Sequence, residues 1–376
     1  MGRGPSKKND ILSSKTPIDK KDFNLKSFKN TENLTQIKDK DLNWFNLSDA
    51  FYEITKLPGI PKGYFTIVRG FPNTGKSTIK LELIKSCQEN GVLPVIIETE
   101  NNFSWEHAKL IGVEFEDIYG DVVDEETGEL INKVIDHDGF FLYFDSDTLY
   151  RKYGHIDHSN GKELTKPSRD VACIEDVAYC INDLLKKQMD GELPYELCFI
   201  WDSVGTLSSY KSLLSKVGNN MFDAGAYSSA FSSIVNDKIP SSRKETRQYT
   251  NTFFCVNKIW KNSMVYGAAV VENKGGNTLG YAARLVIHLG GVETPGVSKL
   301  KATKGGKNYY YGVETKIRVE KNHVNNLTYE GTICSVPHGL VNPSKLEQYK
   351  KEHMKYLLEQ LETTDESDIN FSQETE

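Results

Sequence analysis

Residues 70–77 read Gly-Phe-Pro-Asn-Thr-Gly-Lys-Ser, a G-x-x-x-x-G-K-[ST] loop. Such a loop constrains the fold, because its glycines have to stand between the end of a strand and the start of a helix. The flanks meet that demand. Residues 64–68 are a β-branched and aromatic run, and from 78 to 90 the apolar residues Ile79, Leu83, Ile84 and Cys87 recur at helical spacing. In this setting the backbone around Gly70, Asn73, Thr74, Gly75 and Thr78 can wrap phosphate groups with N–H donors, helped by the helix dipole. Lys76 then offsets the phosphate charge, and the Ser77 hydroxyl is offered to Mg²⁺.

The rest of the chain repeats the alternation. Buried strands are expected at 92–98, 196–201, 252–256 and 285–289, and helices at 104–110 and 174–189. This order predicts an α/β fold, a central mostly parallel twisted sheet flanked by helices. Ahead of the loop, Trp44, Phe45, Leu47, Phe51 and Ile54 predict a helix over 42–57, which Pro58-Gly59-Ile60-Pro61 stops. Residues 1–41 are polar and lysine-rich and read as a flexible basic arm. The core is expected over 42–340, interrupted by an acidic, aromatic insertion near 114–170. A β-hairpin over 299–311 turns at Gly305-Gly306, its tyrosines fitting either packing or nucleic-acid contact. The last part, 341–376, reads as a helix over 345–361 and a disordered acidic tail.

Composition narrows the class. With 38% hydrophobic and 26% charged residues the chain is ordinary for a soluble globular protein, and no apolar run suits a membrane span. The polar start lacks the apolar core of a secretory signal, so a reducing, cytoplasmic setting is expected, a host's cytoplasm if the chain is viral. The six cysteines form no C-x-x-C pair and read as free thiols. A net charge of -6 argues against a uniformly basic nucleic-acid binder but leaves room for a local basic groove. His155-Ile156-Asp157-His158 offers metal-ligand spacing, yet without further ligands it reads as a solvated turn.

A phosphate loop also needs an acidic residue at a neighbouring strand end to hold the magnesium shell, and the apolar run 197–201 delivers Asp202. Glu98 and Glu100 end the strand over 92–98. Either can orient water or cap the following helix.

Residues 59–338 resemble the RecA recombinase core, including the T4-type phage recombinases. The likeness is strongest at three places. Glu98-Thr99-Glu100 followed by 107–113 is similar to the family's strand-end glutamate and next helix, which implies Glu100 as the catalytic base and His107 where a family tyrosine stacks on adenine. Phe254-Cys255-Val256-Asn257-Lys258 is similar to the strand whose end senses the γ-phosphate of ATP, which implies Asn257 at the nucleotide. Gly275-Gly276-Asn277 closes the loop after it. Residues 312–323 match the segment that carries basic residues, here Lys321 and His323, into the neighbouring subunit's ATP.

The resemblance implies ATP and Mg²⁺, a homo-oligomer with nucleotide at subunit interfaces, and single-stranded DNA with duplex DNA during pairing. A loader or single-strand-binding protein would be a further partner. Two loops would touch DNA. One, near 206–222, holds Lys211, Lys216, Asn219 and Asn220, and the other, over 259–274, holds Trp260, Lys261, Tyr266 and Lys274 ahead of Gly276 and Asn277. Aromatic faces mixed with cations and amides suit single strands. Position 258 is lysine where bacterial members carry a glutamine switch, and position 323 is histidine where they carry lysine. The 114–170 segment has no counterpart.

The expected function is thus a DNA-stimulated ATPase that forms recombinase filaments. The alternatives are a DnaB-type hexameric helicase, whose reaching residue is normally an arginine, and a regulatory ATP-binding oligomer with no DNA role. The chain has no arginine beyond Arg318.

Overall fold

The computed structural model describes residues 38–124, 127–215, 220–262, 270–273, 276–291, 293–365, 367 and 369–375. The expected arm falls mostly outside them. The chain divides into residues 1–39 and 40–376, and the elements below belong to the second unit.

In chain order these are β1 (Phe65–Gly70), α1 (Lys76–Glu89), β2 (Leu93–Glu98), α2 (Trp105–Ile111), β3 (Leu142–Asp145), α3 (Ile174–Met189) and β4 (Leu197–Val204). They continue with α4 (Asn220–Ser233), β5 (Thr252–Asn262), α5 (Gly276–Ala282), β6 (Leu285–Leu289), β7 (Val297–Lys304), β8 (Lys307–Asn322), β9 (Glu330–Val336) and β10 (Gly339–Val341). The last are α6 (Leu346–Glu352), α7 (Met354–Gln360) and β11 (Asn370–Thr375).

One sheet runs β10-β9-β8-β6-β1-β5-β4-β2-β3. From β6 to β3 every neighbouring pair is parallel, and β8 to β10 add an antiparallel wing. Side chains alternate between its two faces. Leu197, Phe199 and Trp201 of β4 join a core with α3 and α4, while Cys198 and Ile200 join the core that holds α1 and α2. Burial on both faces explains why these strands read as unbroken apolar runs. All six cysteines are buried and unpaired. No helix among the described residues is long and apolar enough to cross a membrane.

Several expectations change. The helix expected over 42–57 is a strand, Trp44–Asn46, followed by a shorter helix, Asp49–Thr55. The strand pairs with Gly59–Pro61, where a Cβ on Gly59 would stand 1.9 Å from the Phe45 carbonyl oxygen. Within the expected insertion, Glu116–Val123 and Leu130–Asp138 form a separate hairpin, but Leu142–Asp145 is a strand of the main sheet beside β2. His158 is not in a solvated turn. Its Nε2 lies 2.7 Å from Asp176 Oδ1, the same oxygen that takes the Arg169 guanidinium at 2.5 Å. Asp176 thus holds Arg169 and His158 on one oxygen and accepts the Cys173 backbone N–H on the other.

The C-terminal helix breaks at His353 into α6 and α7. The tail expected to be disordered instead supplies β11, antiparallel to β7. Its charges find partners: Glu374 pairs with Lys301 at 2.6 Å and accepts from Tyr310, and Asp365 pairs with Lys304 at 3.1 Å. The hairpin of β7 and β8 does turn at Gly305 and Gly306, both at positive φ.

Beneath the strand ends the fold buries three charges. Lys80 on α1 donates to Glu98 at 2.9 Å and to Asp202 at 2.5 Å, with all three side chains at most 6% exposed. Asp202 and Glu98 are direct partners on adjacent parallel strands. Their carboxylates would repel without the ammonium between them. Burial works against a charged Lys80, but Asp202 and Glu98 outweigh it and hold the ammonium above its ordinary range. Removing one partner of a buried pair costs about 3–5 kcal/mol. Lys80→Met is therefore expected to destabilise the fold by about that amount. Urea unfolding with an unchanged midpoint would show that the triad is dispensable.

Candidate active site

Parallel strands in this order bring their C-terminal ends to one edge, and the chemistry-bearing residues gather there. Gly70 at the end of β1 is the register partner of Lys258 on β5 and of Leu289 on β6. Beyond Gly70 the loop turns through Asn73 and Gly75 at φ values of 60° and 87°, and then α1 starts at Lys76. The glycines are required sterically. A Cβ on Gly70 would meet the Leu289 carbonyl oxygen at 2.2 Å, and one on Gly75 would meet Ser335 at 2.8 Å.

Lys76 folds back on its loop and donates to the Phe71 carbonyl at 2.5 Å. Burial lowers its pKa to about 8, partly opposed by Asp202. Ser77 is exposed, whereas the Thr78 hydroxyl is buried and lies 2.5 Å from that of Ser335. The loop opens into a cavity of about 680 Å³ whose walls include Thr74, Ser77, His107, Tyr309, Ser335 and Tyr356. Ser104 caps α2 by accepting the backbone N–H of His107, which sets that ring in the wall. His107 Nε2 is buried with no hydrogen-bond partner among the described residues. Burial also lowers its pKa, so the ring favours the neutral form. Tyr309 and Tyr356 share a 3.1 Å hydrogen bond on the same cavity.

Glu100 lines a second cavity, of about 480 Å³, with Asn102, Ser203, Thr206 and Lys258. Lys258 pairs with Glu100 at 2.6 Å, Asn102 donates to it at 3.1 Å, and Ser203 also donates to it. Burial alone would raise the Glu100 pKa, but these hydrogen bonds and the Lys258 charge prevail and hold it below the usual range. Glu98 differs. It is fully buried, with one oxygen on Lys80 and the other accepting the Glu100 backbone N–H. Of the two carboxylates left open by the sequence, only Glu100 reaches a cavity.

The remaining site candidates fall in three places. Asn257 is buried on β5 between Arg69 and Val204. Lys211 is exposed on the short helix Tyr210–Ser215, and Asn220 opens α4. Trp260 and Lys261 lie on β5, opposite Glu272 and Val271 of the strand Val270–Asn273, so the expected loop is in part a two-stranded extension. Gly276 and Asn277 start α5. Lys216, Asn219, Tyr266 and Lys274 lie outside the described residues.

Lys321 and His323 are not at this edge. Asn322 pairs with Leu285, at the other end of β6 from Leu289. Four residues of strand, about 13 Å, separate the two ends. Lys321 donates to the Gly280 and Tyr281 carbonyls at the end of α5, and burial, followed by Arg284, lowers its pKa. His323 is exposed.

Sequence reasoning missed Lys80, the Lys258–Glu100 pair and the Tyr309–Tyr356 wall. A signal existed for Lys80, four residues after Lys76 and hence on the same helix face. The other two depend on non-local pairing.

The donor set suits a nucleoside polyphosphate: a helix N-terminus, loop N–H groups, a lysine and an aromatic-lined recess with an unsatisfied imidazole nitrogen. The oxygens of Ser77 and Asp202 suit a hard divalent cation.

No family model matches the chain. Over 95 residues it is 32% identical to the protein RecA of Ureaplasma parvum, covering 25% of this chain and 28% of that protein. It is 37% identical over 65 residues to RecA of Aquifex aeolicus, covering 17% and 19%, and 32% identical over 78 residues to RecA of Helicobacter pylori, covering 21% and 22%. The chain thus spans between a fifth and just over a quarter of the length of these curated relatives. The chain is thus similar to RecA proteins over part of its length, and its large sheet flanked by helices is consistent with a RecA-like core.

Proposed function

We infer that the protein is an ATP-dependent DNA recombinase, one that assembles with ATP and Mg²⁺ into filaments on single-stranded DNA, pairs them with homologous duplex and exchanges strands in the cytoplasm. The observation that carries this reading is the division of the sheet into two edges. The glycine loop, Asp202 and Glu100 stand at one edge, while Lys321 and His323 stand at the other, too far to serve their own loop. A site that needs both is completed by a neighbouring copy, in a head-to-tail contact that propagates.

In this reading the loop N–H groups and Lys76 hold the polyphosphate, and Ser77 with Asp202 would hold magnesium. Bound Mg²⁺ neutralises charge on the phosphate oxygens. Glu100 orients the attacking water and takes its proton, His107 and the tyrosine wall flank the base, and Lys321 and His323 meet the neighbour's γ-phosphate. Trp260, Lys261 and the segment after Ser203 leave the same edge as Glu100, which suits hydrolysis that responds to DNA.

The helicase reading is less well supported. Arg318, the chain's last arginine, is tied to Glu320 at 2.7 Å within the sheet. Electron microscopy with single-stranded DNA and a non-hydrolysable ATP analogue separates the two: open filaments are expected, and closed six-membered rings would overturn the recombinase.

Glu100→Gln should bind ATP and DNA but hydrolyse roughly 10²–10⁴-fold more slowly, the usual range for losing a general base. Steady-state turnover near wild type would remove Glu100 from that role. Because phosphate favours the charged form of Lys76, ATP affinity should be greatest below pH 8 and fall as pH rises through that value and the ammonium is lost. Calorimetric titration from acidic to alkaline pH checks the sign.

The shared site is tested by mixing. Glu100→Gln and Lys321→Ala proteins should each be nearly inactive, yet an equal mixture should regain about a quarter of wild-type ATPase, since random head-to-tail neighbours form that share of intact sites. No recovery would mean that Lys321 serves its own protomer.

A further inference from the structure

Of the 18 large apolar and aromatic side chains that stand exposed among the described residues, seven belong to the hairpin of Glu116–Val123 and Leu130–Asp138. Strands alternate their faces, so Tyr119 and Val123 share one face with their register partners Val134 and Leu130. Tyr119 is 61% exposed and Leu130 70%. The root of the hairpin, by contrast, is anchored. There His137 stacks on Trp105 of α2 at 4.1 Å and bonds Asp117 at 3.0 Å, and Asp117 also takes Lys109 of α2 at 3.1 Å. A two-stranded hairpin is marginal on its own in water, and a third strand is one of the usual ways to bury such a face. An apolar tip held out on a packed root has the form of a docking element.

Charge selects what can cover it. From 116 to 138 the chain carries nine aspartates and glutamates against one lysine, Lys133. Such a field repels nucleic acid, anionic membranes and the same hairpin of a second copy. Backbone geometry selects further. The extra residue Ile135 makes a bulge in Leu130–Asp138, which twists the edge of that strand away from pairing. Glu116–Val123 has no such insertion, and among the described residues it pairs on one side alone. Its outer edge can accept another strand, and the face presented to that strand runs Tyr119, Asp121, Val123.

We propose that this hairpin is a docking arm for a basic protein partner, which adds an extended segment as a third strand along Glu116–Val123. The segment has the pattern apolar-x-Lys/Arg-x-apolar, so that its apolar residues cover Tyr119 and Val123 and its cation stands opposite Asp121. Main-chain hydrogen bonds of the new strand supply attachment, and the cation supplies the choice of partner. The arm goes beyond the nucleotide reading and does not depend on what the glycine loop binds.

The test uses the full chain and two capped, fluorescently labelled peptides, Thr-Ile-Thr-Lys-Thr-Ile-Thr and the same sequence with Glu for Lys. Anisotropy measures affinity, and hydrogen exchange locates the contact. The Lys peptide should bind about fivefold more tightly, since it gains a cross-strand charge pair where the Glu peptide makes a like-charge one. It should also slow amide exchange across 116–123. Asp121→Lys should invert the order of the two peptides. Tyr119→Ser combined with Val123→Ser should abolish binding of both while leaving the thermal midpoint unchanged, because both side chains are exposed. The arm is overturned if the peptides bind equally, if Asp121→Lys leaves their order as it was, or if protection falls outside 116–123. Protection that rises with protein concentration alone would assign the face to a second copy, and protection by a single-stranded oligonucleotide would assign it to nucleic acid. Either result overturns the basic protein partner.

Discussion

Two buried carboxylates, Glu98 and Asp202, are register partners on adjacent parallel strands, and the ammonium of Lys80 between them is what lets them stand there. In a medium of low dielectric the repulsion between Glu98 and Asp202 would be severe, and neutralising either by protonation would change what it can hold. Lys80 between them opposes the burial that raises the Glu98 pKa, and each carboxylate has a second task. Asp202 faces the loop lysine closely enough to support its charge. Glu98 turns its other oxygen to the Glu100 backbone, which fixes the bend after β2 and aims Glu100 at Ser203 and Lys258. The cavity-lining carboxylate is thus placed by a deeper one, and that one by a lysine on the helix after the glycine loop.

This dependence explains which parts of the molecule could be read in advance. The loop and its flanks were legible because the motif has meaning only between a strand and a helix. The strand 285–289 and helix 174–189 were legible to the residue because burial imposes one clean period on each. Other strands were located but cut short. β4 and β5 run on past Trp201 and Val256 into polar residues, which looked like loop. Local pattern failed where a distant partner decides. Trp44, Phe45 and Leu47 fit a helical period, yet the Gly59–Pro61 segment offers a backbone close enough to pair. The acidic tail has the composition of a disordered segment, but lysines on the β7–β8 hairpin give its charges partners.

The site divides the same way. Lys76, Ser77 and Asp202 are demanded by the chemistry of a phosphate loop, so residue type and spacing were enough to nominate them. Choosing between Glu98 and Glu100 needed the burial pattern, since both end the same apolar run. Lysine at 258 stood out in the sequence, but its pairing with Glu100 was invisible until β5 was seen in the sheet.

Lys321 links the far edge to the rest. Its ammonium donates to the last carbonyls of α5, where the helix dipole favours a cation. The first residue of α5, Gly276, follows the segment that pairs with Trp260 and Lys261. A lysine that leaves α5 to meet a neighbour's phosphate gives up two hydrogen bonds and uncaps that helix, so contact between copies and the setting of α5 are alternatives for one ammonium. Burial lowers the proton affinity of Lys321, and in the proposed filament a neighbour's phosphate would restore it. Within a single protomer the two edges of the sheet are therefore connected through the C-terminal end of β5 and the helix α5.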